Sequence, residues 1–322
     1  MLWYLYCSVV NCIIVVIFNI LSSYDSGAVR ALSVLDNENS FLSASKDKTV
    51  KLWSIRNFGD GLGRTHPRGT LLHKKSAFSV LFLNSTRHVA SCDSTIYLWD
   101  PFMGAQVRHF DATKIAPVSV LAAVPAPSTT LIAATTENHN TLKLLDCRQS
   151  EVSLSSELRL TPSSGAGLIR CVSVSPDGNW VACGFSSGIL CVVDLRTGMI
   201  IGMWKAHEGE IYKVETFNAS TVVTASFDQT IQVWDVIAKK KISQLRGHLE
   251  PAHCLGFFKS AVISATTANK VGVHSNVTPE ASFAVSKLHT DVFKGVLTTM
   301  SVLSLNRLLL FGADNGSIKL CC

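Results

Sequence analysis

A chain of 322 residues that is 47% hydrophobic and 16% charged is neither disordered nor strongly solvated, and it is long enough for one large domain. The net charge of +6 would suit an acidic partner, but lysine and arginine are scattered, and the densest run, residues 239–241, reads as a solvated turn rather than a nucleic-acid site. The ten cysteines include no CxxC spacing, and Cys92, Cys171, Cys183 and Cys191 sit in apolar, β-rich stretches, which argues against zinc or disulfide scaffolds and for a reducing compartment.

The first 21 residues carry no charge and would span a bilayer if helical. No Lys or Arg precedes the run, and its centre, residues 13–18 (IIVVIF), is rich in β-branched residues that favour strands. Residues 1–24 are therefore an apolar leader with three readings: a strand within residues 12–22, a membrane segment, or a segment foreign to the domain. From residue 25 to 322 the pattern is short strands and turns, with no helix of useful length. VRALSVL, SFLSAS and TVKLWSI come first, followed by a glycine-rich loop. FSVLFL, HVASCD and TIYLWD make a second group, and VSVLAAV, TLIAATT and TLKLLD a third. LIRCVSVS, WVACGF and ILCVVD make the fourth, with Asp177-Gly178 supplying a left-handed turn between its first two strands. Three further groups begin near Ile211, His253 and Leu297.

Each group ends on an apolar strand whose last position is Trp or a substitute for it: Trp53, Trp99, Leu145, Val193, Trp234, His274 and Cys321. These endings recur every 40 to 48 residues, and in the three clearest an Asp precedes the Trp by six (Asp47, Asp93, Asp228). This is the signature of WD repeats, and seven of them predict an all-β, seven-bladed WD-repeat β-propeller. The chain stops after the third strand of the last group, so the spacing predicts that the amino-terminal segment supplies the closing strand, since an open edge invites aggregation.

WD repeats can bury a hydrogen-bonded row of His, Ser, Asp and Trp. Blade two offers His73, Ser91, Asp93 and Trp99, and blade five offers His207, Ser226, Asp228 and Trp234. Blade one keeps only Asp47 and Trp53. A Ser, a His and an Asp invite a hydrolase reading, but a repeated, strand-borne set lacks the single exposed nucleophile and oxyanion donors that catalysis needs. The row is read as structural, with no catalytic, cofactor or metal site. Gly184 and Gly188 suggest close backbone packing, and Glu208 and Glu210 mark a rim loop of the kind that binds partners.

The segments ENSFLSASKDKTVKLW, GNWVACGFSSGIL and FKGVLTTMSVLSLNRLLLFGADNGSIKL resemble the carboxy-terminal propeller of the BEACH and WD-repeat family over roughly residues 27–320. The family's BEACH region is absent, so the resemblance implies a fragment or truncated form. It further implies a non-enzymatic scaffold, cytoplasmic at endosome and lysosome membranes, that regulates class III phosphatidylinositol 3-kinase complexes. The implied partners are WD repeat-containing protein 91, that kinase complex and autophagy receptors, with membrane association indirect. A phosphoinositide-binding propeller is the alternative, although Arg56, Arg64 and Arg68 are spread along a loop instead of forming a paired motif.

Overall fold

The computed structural model describes residues 20–55, 66–110, 118–135, 140–148, 154–160, 165, 167–245, 247–288 and 295–321. Those residues form seven antiparallel four-stranded sheets. The first strands of the sheets are Val29–Val34, Ser79–Leu83, Val118–Ala123, Ile169–Val174, Ile211–Thr216, Ala252–Phe258 and Leu297–Leu303. Each touches the first strands of both neighbours, and the first and last meet, so the sheets close into a ring about a central channel.

The ring is closed as the spacing predicts. The outer strand of the seventh sheet is Ile20–Tyr24, paired antiparallel with Ser317–Cys321 through Ile20 opposite Leu320 and Tyr24 opposite Ser317. The strand expected within residues 12–22 is described over Ile20–Tyr24, two residues further toward the carboxyl end than expected. Residues 1–19, on which the membrane reading also falls, lie outside the described residues. Among the described residues no helix is long and apolar enough to cross a membrane.

Packing explains the composition of the blades. The apolar core is divided into seven slabs, one between each pair of adjacent blades. Second strands are covered on both faces: Trp180–Phe185, Thr221–Ser226 and Ala261–Thr266 are buried at every residue. That sandwiching selects the small residues Ala, Ser, Cys and Gly that recur there, because neighbouring sheets interdigitate at interior density. A Cβ on Gly184 would lie 2.7 Å from both Cys171 Sγ and Ile211 Cγ2, so this glycine serves packing.

The turns between second and third strands also repeat. A left-handed residue recurs there, Lys48, Gly188, Gln229, Asn269 and Gly316, with φ between 58° and 84°. At Gly188 the conformation is combined with a close approach, since a Cβ would lie 2.1 Å from the His207 carbonyl oxygen. Gly188→Ala is expected to lower the unfolding free energy by at least ~2 kcal/mol, from left-handed strain plus displacement of the next blade's loop. Denaturant unfolding measures this, and an unchanged midpoint would show that the loop yields freely.

Candidate functional site

The polar rows predicted from sequence lie between strands. In blade two, the indole Nε1 of Trp99 donates to Ser91 Oγ at 2.8 Å, and His73 Nε2 lies 2.9 Å from the same oxygen. His73 Nδ1 is 3.6 Å from Asp93, whose carboxylate accepts the Lys75 and Thr95 amides instead. Burial lowers the pKa of His73 against the pull of Asp93, so the ring is neutral and orders the row without adding charge.

Blade five departs from the predicted set. His207 Nδ1 is 3.0 Å from Asp228, but its Nε2 meets Thr224 Oγ1 at 2.7 Å, and Trp234 Nε1 donates to that same hydroxyl at 3.2 Å. Ser226 is not in the row; its Oγ accepts the Asp228 amide and shapes the turn. The reason is register. Ser91 pairs with Tyr97, two before Trp99, and the equivalent positions are Thr224 opposite Gln232 and Ser43 opposite Lys51. Blade two has two fewer residues between the strand hydroxyl and the Asp, so counting back from Asp228 lands on Ser226, the last residue of the strand, two beyond Thr224.

Blade one contains a substitution that the sequence pattern did not show. Trp53 Nε1 donates to Ser43 Oγ at 2.9 Å, and Asp47 accepts from Ser26 and Thr49. Asp25 stands where His73 and His207 stand in their blades: its amide bonds Gly316 O, as theirs bond Lys48 O and Gly188 O. Its carboxylate is buried and lies 2.7 Å from Lys51 Nζ, which also reaches Asp47 at 3.4 Å. Burial pushes the Asp25 carboxyl up to about 6, against the pull of Lys51. In blade six, His248 Nε2 lies 2.9 Å from Ser264 Oγ, while His274, in the Trp position, stacks on Phe283.

These rows leave their hydroxyls no route to a substrate. Ser91 and Thr224 are fully buried and engaged by His and Trp, so neither is an available nucleophile. The buried cysteines are equally inert: burial pushes the thiols of Cys92, Cys171, Cys191 and Cys254 up to about 12.

Accessible chemistry gathers at one mouth of the central channel, where a cavity of about 690 Å³ opens. The first strands of six blades carry a bulge there, turning one residue inward: Arg30, Ser119, Arg170, Tyr212, His253 and Thr298. Phe78, just before Ser79, takes the same place in blade two. The Arg30 guanidinium lies 4.8 Å from the Phe78 ring centre, Tyr212 stacks on His253 with centroids 4.2 Å apart, and Arg170 pairs with Glu210. Glu208, its side chain 89% exposed, pairs with Lys205 at 3.8 Å, whereas Glu210 is half-buried. Aromatic planes, guanidinium groups and one carboxylate around a concavity suit recognition of a protein segment.

The chain is similar to known proteins along nearly its whole length. The WD domain, G-beta repeat model matches residues 17–54, 66–100, 156–194 and 198–235. Each match runs from the outer strand of one blade through the first three of the next, so the first includes Ile20–Tyr24. WD repeat-containing protein 81 of Rattus norvegicus is 38% identical over 297 residues, 92% of this chain, and that of Danio rerio is 40% identical over 301 residues, also 92%. The chain spans only 15% and 14% of those two proteins' lengths. Suppressor of organelle fusion 2 of Caenorhabditis elegans is 27% identical over 91% of the chain, which covers 20% of that protein. Among solved structures, the computationally designed protein Ika8 superposes with a TM-score of 0.66 at 23% identity, over 91% of this chain and 82% of that one, which shows the fold alone.

The site yields two measurements. Thr224→Val should cost ~2–3 kcal/mol by stranding His207 and Trp234, whereas Ser226→Ala should cost about 1 kcal/mol; the reverse order in denaturant unfolding would return Ser226 to the row. Because the Asp25 carboxyl is raised in the folded state, the fold holds that proton more tightly than the unfolded chain, and this group's ionisation removes stability as pH rises from about 4 to about 6. Asp25→Asn should therefore gain about 2–3 kcal/mol relative to the parent chain between pH 4 and pH 7, and a constant difference across that range would show no such linkage.

Proposed function

We propose, for a chain that is a seven-bladed WD-repeat propeller, that it works as a non-enzymatic protein-interaction scaffold presenting its channel mouth to partners. One observation carries this reading. The hydroxyls and carboxylates that could do chemistry are locked inside the blades, while the exposed mouth carries Arg30, Phe78, Arg170, Tyr212 and His253. Such residues supply binding energy at protein interfaces, with aromatic side chains and arginine over-represented among the strongest contributors.

The finer role we propose is that of an adaptor in endosome and lysosome trafficking and in autophagy, acting on class III phosphatidylinositol 3-kinase complexes together with WD repeat-containing protein 91. Two things support it: the similarity to WD repeat-containing protein 81, and a more distant relative whose name, Suppressor of organelle fusion 2, ties that nematode protein to compartment fusion. The phosphoinositide-binding alternative has less support, because Arg170 at the mouth is already paired with Glu210.

Affinity capture from cell extract tests the reading, with the protein and its Tyr212→Ala/His253→Ala variant as baits. The parent chain should recover endosomal or autophagy components, and the folded variant should lose most of them. Equal recovery by both baits would remove the channel mouth from the interaction. Flotation with phosphoinositide vesicles, if it succeeded while capture failed, would replace the scaffold with the lipid reading.

A further inference from the structure

The channel mouth is electrically lopsided. Arg30, Lys46, Lys48, Lys74 and Lys75 are all exposed, and none forms an ion pair among the described residues. The four lysines belong to two loops stitched together, beside Arg30 on the first strand of blade one: the His73 amide donates to Lys48 O at 2.9 Å, Ser76 Oγ to Lys46 O at 3.1 Å and the Ala77 amide to Ser45 O at 3.1 Å. The acids nearest them are spent internally. Asp25 is buried against Lys51, Asp47 accepts from Ser26 and Thr49, and Asp93 accepts the Lys75 and Thr95 amides. Five cations thus share the edge formed by blades one and two, where the neighbouring acids Asp25, Asp47 and Asp93 are engaged internally, at a cost in mutual repulsion that an anionic partner would relieve.

From the basic edge of the mouth at blades one and two, resting on the scaffold reading above, we infer a seat for an acidic, extended segment of a partner protein. Three features select a peptide. Arg30 and Lys46 line the cavity itself, so the charge leads into a concavity that a chain can enter and a flat bilayer cannot. Phe78, held under Arg30, offers an apolar wall beside the cations for a segment that mixes acidic and apolar residues. Across the channel, in blades four and five, the charges are paired instead, Arg170 with Glu210 and Lys205 with Glu208, so the unpaired positive charge that would draw an acidic segment lies on blades one and two.

The test uses a labelled peptide of alternating glutamate and phenylalanine, with a lysine–phenylalanine peptide as control, against the whole chain by fluorescence anisotropy. The glutamate peptide should bind, more weakly as salt rises. The variant Lys46→Glu/Lys74→Glu/Lys75→Glu alters only exposed side chains, and its melting temperature checks the fold. It should lose about tenfold or more in affinity, as expected for reversed charges at an interface edge, and gain affinity for the lysine peptide. Glu208→Lys should leave binding intact or strengthen it. No binding of the glutamate peptide by the folded chain, or equal binding by the triple variant, overturns the inference. Flotation with phosphatidylserine vesicles that depends on the three lysines, without peptide binding, would assign the edge to membranes instead. If the triple variant still captures every partner that Tyr212→Ala/His253→Ala loses, the basic edge fails while the scaffold reading stands.

Discussion

The molecule depends on one non-covalent joint: the pairing of Ile20–Tyr24 with Ser317–Cys321, which lets the last blade borrow its outer strand from the start of the fold. Seven slabs of side chains can exist only if the ring is closed, because each slab needs a blade on both sides. The joint is reinforced by polar contacts between the first and last blades. The Asp25 amide reaches Gly316 O, Thr298 Oγ1 donates to Val29 O at 2.6 Å, and Glu38 accepts the Leu305 and Asn306 amides. Loop-closure entropy for so long a separation is therefore met by hydrogen bonds, strand pairing and apolar burial acting together.

The same closure explains why blade one differs from blades two and five. Its first loop follows directly from the borrowed strand, and Asp25 takes the place of the histidine, paired to Lys51 across the row. A carboxylate and a lysine there do what a neutral imidazole and a hydroxyl do elsewhere, but with charge in place of polarity. Burying charge costs more than burying a neutral ring, which is why Asp25 is pushed up toward the protonated form. Blade six changes the row in another way, with His274 stacked on Phe283 where an indole would bond. The repeats thus preserve a shape and vary the chemistry that fills it.

How much of this was legible in the amino-acid order follows from the range of the forces involved. The period of the Trp endings, the seven blades and the need for a closing strand are local patterns read directly along the chain. Trp53, Trp99 and Trp234 sit where their spacing places them, because strand alternation fixes their face. Thr224 was missed because the hydroxyl is defined by the residue across the ladder, and a turn two residues shorter in blade two hides the equivalence. Counting ten back from Trp234, as from Trp53 to Ser43, would have found it. Asp25 is adjacent in space to its row only once the ring is closed, so nothing local announces it. The ring of Arg30, Phe78, Arg170, Tyr212 and His253 depends on a strand bulge in every blade but the second, and residues from distant stretches of the chain meet there.

The register of the closing strand also sets how the ring responds to tension. Ile20 faces Leu320 and Tyr24 faces Ser317, so both chain directions leave the blade on the same side. Backbone force carried through Ile20 and Leu320 would load the pairs one at a time, peeling the strand like a zipper instead of shearing all its bonds together. A propeller held at that joint between tethered neighbours would give way there first, exposing the edge of the seventh blade while six blades stayed stacked.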